Sequence, residues 1–185
     1  MNRIAKFEKV SFGQFSADWG NFFPNVPEEK IKEIYDGIML PKRATTGSAG
    51  YDFFLPCGIF LQAGEGTIIP TGIRARISEG WVLNIYPRSG LGFKFRLQLD
   101  NTVGIIDSDY YGSDNEGHIM IKLTNGNKQG KELVLKAGSG FAQGIFLPFG
   151  ITEDDCADGV RNGGFGSSGR GAPAGIVPPR LSKYD

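Results

Sequence analysis

Short runs in which apolar and polar side chains alternate dominate the chain. In Gly72-Ile73-Arg74-Ala75-Arg76-Ile77 the residues Ile73, Ala75 and Ile77 alternate with arginines. That period of two puts every second side chain on one face of a strand. His118-Ile119-Met120-Ile121-Lys122-Leu123 sets three branched apolar residues on one face, and residues 81–86, 131–135 and 143–147 are further apolar runs. Glycine, proline or asparagine bounds them, as tight turns between strands require. Strands this short and this frequent predict a sandwich, jelly roll or barrel. One helix is predicted, after Pro27: Glu28 and Glu29 occupy its first turn, Ile31, Ile34 and Tyr35 share a face, and Gly37 can end it. The aromatic-rich segment 12–23 reads as a packed arm or a subunit contact. Residues 171–185, with three prolines and scattered charges, read as a loose end.

Composition narrows the chemistry. A chain of 185 residues, 40% hydrophobic and 22% charged, suits one soluble globular domain with or without an arm. Twenty basic and twenty acidic side chains balance, which argues against broad electrostatic binding to nucleic acid. A small anionic ligand held by a few arginines remains open. Cys57 and Cys156 are too few for a disulfide framework and are expected as buried thiols in a reducing compartment. No segment has the apolar core of a signal peptide or the length of a membrane span, so an intracellular, soluble protein is expected. His118 is the only histidine, which excludes a histidine-rich zinc site. It is expected on a strand surface, and Trp19 and Trp81 as packing residues. The GxxxxGK[ST] phosphate loop is absent.

Five stretches are over-specified for plain structure. PKRATTGSAGYDFF (41–54) turns tightly and brings Asp52 to a strand. YPRSGLGFK (86–94) follows a strand with Arg88, Ser89 and Gly90: a guanidinium, a hydroxyl and free amides suited to an anion. DNTVGIIDSDYYG (100–112) carries Asp107 and Asp109 after an apolar stretch; Asp-x-Asp fits a metal site, a base with a partner, or a turn. AGSGFAQGIF (137–146) presents the uncharged amide of Gln143. RNGGFGSSGR (161–170) sets one aromatic, Phe165, in a glycine- and serine-rich run. Composition alone would make that last stretch a flexible tail.

In this order, over about residues 39–170, the five stretches resemble the trimeric dUTPase family. The resemblance implies an all-β, distorted jelly roll with one short N-terminal helix and a flexible C-terminal arm. Its implied divisions are an arm and helix at 1–38, a core at 39–156 and a mobile closing arm at 157–185. The implied reaction is dUTP plus water to dUMP and pyrophosphate, which keeps uracil out of DNA and supplies dUMP for thymidylate synthesis. Asp107 is matched to the base that activates water for attack on the α-phosphate. Arg88, Ser89, Gly90 and Gln143 are matched to phosphate contacts, as are Arg161, Ser167, Ser168 and Gly169 of the closing motif. Asn101, Gly104 and Ile106 are matched to the uracil-reading hairpin, Tyr110 to the residue beneath the deoxyribose, and Phe165 to the aromatic that stacks on uracil. Mg²⁺ is the implied cofactor, held through its waters, with Asp52 and Gln143 as partners. A homotrimer with shared sites is implied, without nucleic acid or membrane, in the cytoplasm or, for a phage protein, the host cytoplasm.

The chain also departs from the family pattern. Tyr111 stands where an arginine usually follows the SDY tyrosine, and Ser113-Asp114-Asn115-Glu116-Gly117 lengthens the next turn, which is expected at the surface. Gly140 replaces a basic residue, and Arg161 is one residue closer to Phe165 than usual. Asp109 is expected to hydrogen-bond the hairpin. A related dCTP deaminase would need a general acid/base glutamate for which no candidate is evident. A regulatory protein partner, with the nucleotide as a switch, stays open beside catalysis.

Overall fold

The computed structural model describes residues 2–161 and the pair 180–181. The fold is mostly β. A four-stranded sheet orders β2 (Tyr51–Phe54), β11 (Gly140–Pro148), β6 (Trp81–Pro87) and β8 (Gly104–Ile106). A second sheet orders β4 (Gly66–Pro70), β9 (Met120–Asn125) and β7 (Leu97–Leu99). A third orders β10 (Leu133–Leu135), β3 (Ile59–Leu61) and β12 (Arg180–Leu181), and β1 (Ala5–Lys9) pairs with β5 (Ile73–Ile77). All these pairings are antiparallel. The alternation seen in the sequence holds: Ile73, Ala75 and Ile77 are buried while Arg76 is exposed. Within 171–185, Arg180 and Leu181 pair with Phe60 and Ile59 instead of trailing free.

Helix content exceeds the expectation of one N-terminal helix. The expected one is α2 (Glu28–Asp36), entered at Pro27 and ended at Gly37. A second, α1 (Phe12–Phe22), covers the aromatic arm. The Ser11 hydroxyl caps it by accepting from the Gln14 amide at 3.1 Å. Gly13 and Gly20 each cost about 1 kcal/mol in a helix. Phe15 and Trp19, one turn apart and both 0% exposed, each contribute roughly 1.5–3 kcal/mol by burial, so packing wins. A short α3 (Ser89–Phe95) follows β6, entered at Arg88.

One core joins the arm to the sheets, with Phe15 and Trp19 buried alongside Phe53, Leu83, Ile119 and Phe141. Cys57 is buried as expected, but Cys156 is exposed on the segment beyond β11. Among the described residues no helix is long and apolar enough to cross a membrane.

Candidate active site

Two groups of site residues form at different places on the four-stranded sheet. The first depends on β11 lying between β2 and β6. Gln143 is paired with Asp52 on one side and Tyr86 on the other. Its Nε2 donates to the Pro87 carbonyl at 3.3 Å. Arg88, immediately after β6, places Nε 3.3 Å from Asp52 Oδ1, and Ser89 and Gly90 open α3 beside it in solvent. Gly140 makes room for this guanidinium. A Cβ there would stand 2.6 Å from Arg88 Nη1, which donates to the Gly140 carbonyl at 3.5 Å. The missing basic side chain thus leaves space that Arg88 occupies.

The second group is built on the turn from β7 to β8, which crosses between two sheets. Thr102 takes a left-handed φ of 69°, and the Val103 amide donates to the Asn101 carbonyl at 2.7 Å. Asp100 pins the turn to β9, accepting from Thr124 Oγ1 at 2.6 Å and pairing with Lys122 Nζ at 3.0 Å. Beneath the turn lies a cavity of about 330 Å³ lined by Asn101, Gly104, Ile106 and Ile85, with Phe22 of α1 on one wall. Gly104 allows the strands to close there, since a Cβ would sit 3.2 Å from Ile85 Cβ. A larger depression of about 850 Å³, between Phe7, Tyr51, Trp81 and Phe146, contains none of the predicted site residues.

Asp107 follows β8 directly and opens a 3₁₀ turn, η1 (Ser108–Gly112). Its half-exposed carboxylate pairs with Arg161 Nη2, while Arg161 Nε donates to Asp109 Oδ1 at 2.9 Å. Asp109 therefore engages Arg161, not the hairpin. Tyr110 is 3% exposed; its hydroxyl donates to the His118 carbonyl at 2.8 Å and accepts from Asn115 Nδ2 at 2.8 Å. Burial pushes its phenol pKa up.

His118 is fully buried, contrary to the strand-surface expectation. The Gly72 amide donates to Nε2 at 2.8 Å, so the ring proton lies on Nδ1, 2.6 Å from Asp18 Oδ2. Helix α1 supplies that aspartate, and no local pattern around His118 signals it. The lengthened turn also packs inward. Ser113 and Gly117 are buried, and Glu116 Oε2 and Oε1 accept from the Ser11 amide at 2.7 Å and its hydroxyl at 2.6 Å. Phe165, Ser167, Ser168 and Gly169 lie outside the described residues. Among the described residues no hydrogen bond or ion pair joins Asp52, Arg88 or Gln143 to Asp107, Asp109 or Arg161.

The dUTPase family model matches residues 36–172. The deoxyuridine 5'-triphosphate nucleotidohydrolase of Lactococcus lactis subsp. lactis (strain IL1403) is 42% identical over 136 residues, spanning 72% of this chain and 89% of the relative. That of Pectobacterium carotovorum subsp. carotovorum (strain PC1) is 42% identical over 139 residues, spanning 71% and 87%. The crystal structure of dUTPase from Streptococcus mutans aligns with a TM-score of 0.58 and 32% identity, covering 80% of this chain and 98% of that one. A mutant dUTPase from phage phi11 of S. aureus, described with a structural Mg(II) ion, shares the fold at 19% identity, with a TM-score of 0.59 over 85% of this chain and 98% of that one.

Proposed function

The chain belongs to the dUTPase family and is a dUTP diphosphatase, and we propose that it splits dUTP into dUMP and pyrophosphate with Asp107 as the base that activates water. The observation that carries this is the position of Asp107, one residue beyond β8, whose Gly104 and Ile106 line the hairpin cavity with Asn101. Water is a poor nucleophile at neutral pH, and a carboxylate within hydrogen-bond reach takes its proton as it attacks the α-phosphorus. The rest of phosphoryl transfer is placement and charge neutralisation. Arg88, Ser89, Gly90 and Gln143 hold the phosphates. Asn101 and the backbone of the hairpin read the uracil edge, where cytosine would leave buried groups unpaired. Tyr110 underlies the deoxyribose and disfavours a 2′-hydroxyl. Phe165 stacks on the base, and Ser167, Ser168 and Gly169 hold the γ-phosphate.

The strand register supports sites shared between subunits. Leu83 of β6 faces Ile106 of β8 in antiparallel pairing, so Asp107 stands level with Val82. Arg88, just past the end of β6, lies six residues beyond Val82, roughly 20 Å away at about 3.3 Å per residue. The base must come within roughly 3 Å of the water attacking the α-phosphate of the same triphosphate that Arg88 and Gln143 hold. That separation within one chain supports a site completed by a neighbouring subunit. In a homotrimer each chain presents its Asp107 hairpin to the phosphate cluster of a neighbour. Arg161, which pairs with Asp107 and Asp109, is the arginine that turns to the triphosphate and so frees the base.

Members of the dUTPase family use Mg²⁺, and the residues of the first group fit a hydrated ion. Among the described residues no cluster of three His, Cys, Asp or Glu could cage a metal. The Asp52 carboxylate and the Gln143 amide, paired across β2 and β11, are suited to magnesium's waters. When bound, Mg²⁺ neutralises charge on the triphosphate oxygens.

Pyrophosphate release from dUTP, dCTP, dTTP and UTP, for the wild type and Asp107→Asn, tests the reading. Release from dUTP alone, lost in the variant, is expected. Full activity in Asp107→Asn would remove Asp107 as the base.

A further inference from the structure

We propose that β1 and α1 act as a clamp that positions Asp107, with Glu8, Ser11 and Asp18 as its positioning residues. This rests on Asp107 being the base. Both elements precede residue 36, where the family match begins. Yet their polar side chains converge on the 3₁₀ turn carrying Asp107 and on the lengthened turn that follows it.

Three contacts make the clamp, one from β1, one from α1 and one from the cap between them. Tyr111, in the place of the usual arginine, donates its hydroxyl to Glu8 Oε2 at 2.5 Å. Ser11, the cap of α1, gives two hydrogen bonds to the Glu116 carboxylate. Asp18, on the buried face of α1, accepts from His118, whose carbonyl accepts from the Tyr110 hydroxyl. Arg74 of β5 sits among them. Its guanidinium lies 4.4 Å from the Tyr111 ring centroid, 3.8 Å from Glu8 Oε2 and 4.0 Å from Glu116 Oε2.

The turn is short and half-exposed, with Tyr110 as its buried residue and the Ser113 amide donating to the Tyr110 carbonyl at 3.1 Å. The Tyr110 amide donates to the Asp107 carbonyl at 3.2 Å, with no side-chain cap from Asp107. Gly117, at φ +68°, lets the lengthened turn lie against Tyr110, where a Cβ would come within 2.7 Å of the Tyr110 carbonyl oxygen. Each departure from the family pattern around the turn therefore has its partner in the N-terminal arm. Those departures are Tyr111, which meets Glu8, and the inserted Glu116, which meets Ser11; His118 beside them meets Asp18 of α1. A carboxylate acting as a base is sensitive to displacements of this order, since 1 Å of misplacement can cost about 100-fold in rate.

The test uses Glu116→Ala and Tyr111→Phe, at half-exposed positions that should fold, and Asp18→Asn, which keeps an acceptor for His118 but removes its charge. Steady-state dUTP hydrolysis is measured with hydrogen–deuterium exchange. Expected is a kcat about tenfold lower in Glu116→Ala with KM within about twofold. Faster exchange of amides 104–112 should accompany it, with 133–135 unchanged. Glu116→Gln, which keeps one acceptor for Ser11, should recover most of the kcat. Folded Glu116→Ala and Asp18→Asn proteins with unaltered exchange at 104–112 would overturn the clamp. If Asp107→Asn stays active, the base assignment falls, and the exchange data alone then decide whether the arm holds the turn.

Discussion

Gly50→Ala separates placement of the phosphate ligands from stability of the fold. A Cβ at residue 50 would stand 2.8 Å from Gln143 Oε1, and the three nearest atoms all belong to Gln143. Ordinary contact begins near 3.4 Å, so the amide must retreat by about 0.6 Å. That oxygen is the far end of a flexible side chain, and Gly50 does not hold a left-handed conformation, so the backbone accepts alanine. An off-rotamer glutamine costs about 0.5–1.5 kcal/mol. Restricting the unfolded chain returns about 0.4–1 kcal/mol. The net lies within about 1 kcal/mol, or a Tm shift within about 4 °C for a chain of this length. Catalysis should respond more. Scaled from about 100-fold per ångström, the displacement predicts roughly a tenfold loss of kcat/KM. Pyrophosphate release and calorimetry, on Gly50→Ala with and without Gln143→Ala, measure both quantities. Once Gln143 is absent, Gly50→Ala should have no further effect on kcat/KM. A Gly50→Ala protein with kcat/KM within about twofold of wild type would refute the assignment of Gln143.

Other substitutions probe the remaining links. Gly144→Ala meets rigid neighbours instead, Leu83 Cδ1 at 2.8 Å and Phe53 Cε2 at 3.0 Å, and both side chains are buried. Overpacking there should cost about 1–3 kcal/mol, read as a fall in Tm of several degrees. The Lys6 ammonium and the Tyr111 hydroxyl hold the Glu8 carboxyl at about 2, below its ordinary 4.5. Its stabilisation is therefore complete above pH 4.5 and lost as pH falls towards 2, so urea titrations of wild type and Glu8→Gln should converge across that interval. Arg161→Lys cannot engage two carboxylates or a phosphate as a planar fork does, and should lower kcat about 100-fold with Tm nearly unchanged.

The dUTPase motifs were legible because each is contiguous: SAGYD, PRSGL, NTVGIIDSDY and AQ each fall within a few residues. The strand alternation and α2 were legible for the same reason, their signals being local periods. Helix α1 was harder to see. Its Ser11-x-x-Gln14 start and its aromatics at 12, 15 and 19 are helical signals, but two glycines weaken them. Only burial against the sheets decides the matter. His118 sits beside a strand-like run, and nothing local places it in the core.

By itself, then, the sequence determined the family, the reaction and the short segments proposed to bear the chemistry. Tertiary structure decided what those segments touch. Asp18 meets His118 across 100 residues and Ser11 meets Glu116 across 105. The pairing of β6 with β8 separates Asp107 from Arg88 along one strand. Such contacts leave no period or spacing in the chain. They follow from which apolar faces bury together and the register in which the strands pair, and these are properties of the whole fold.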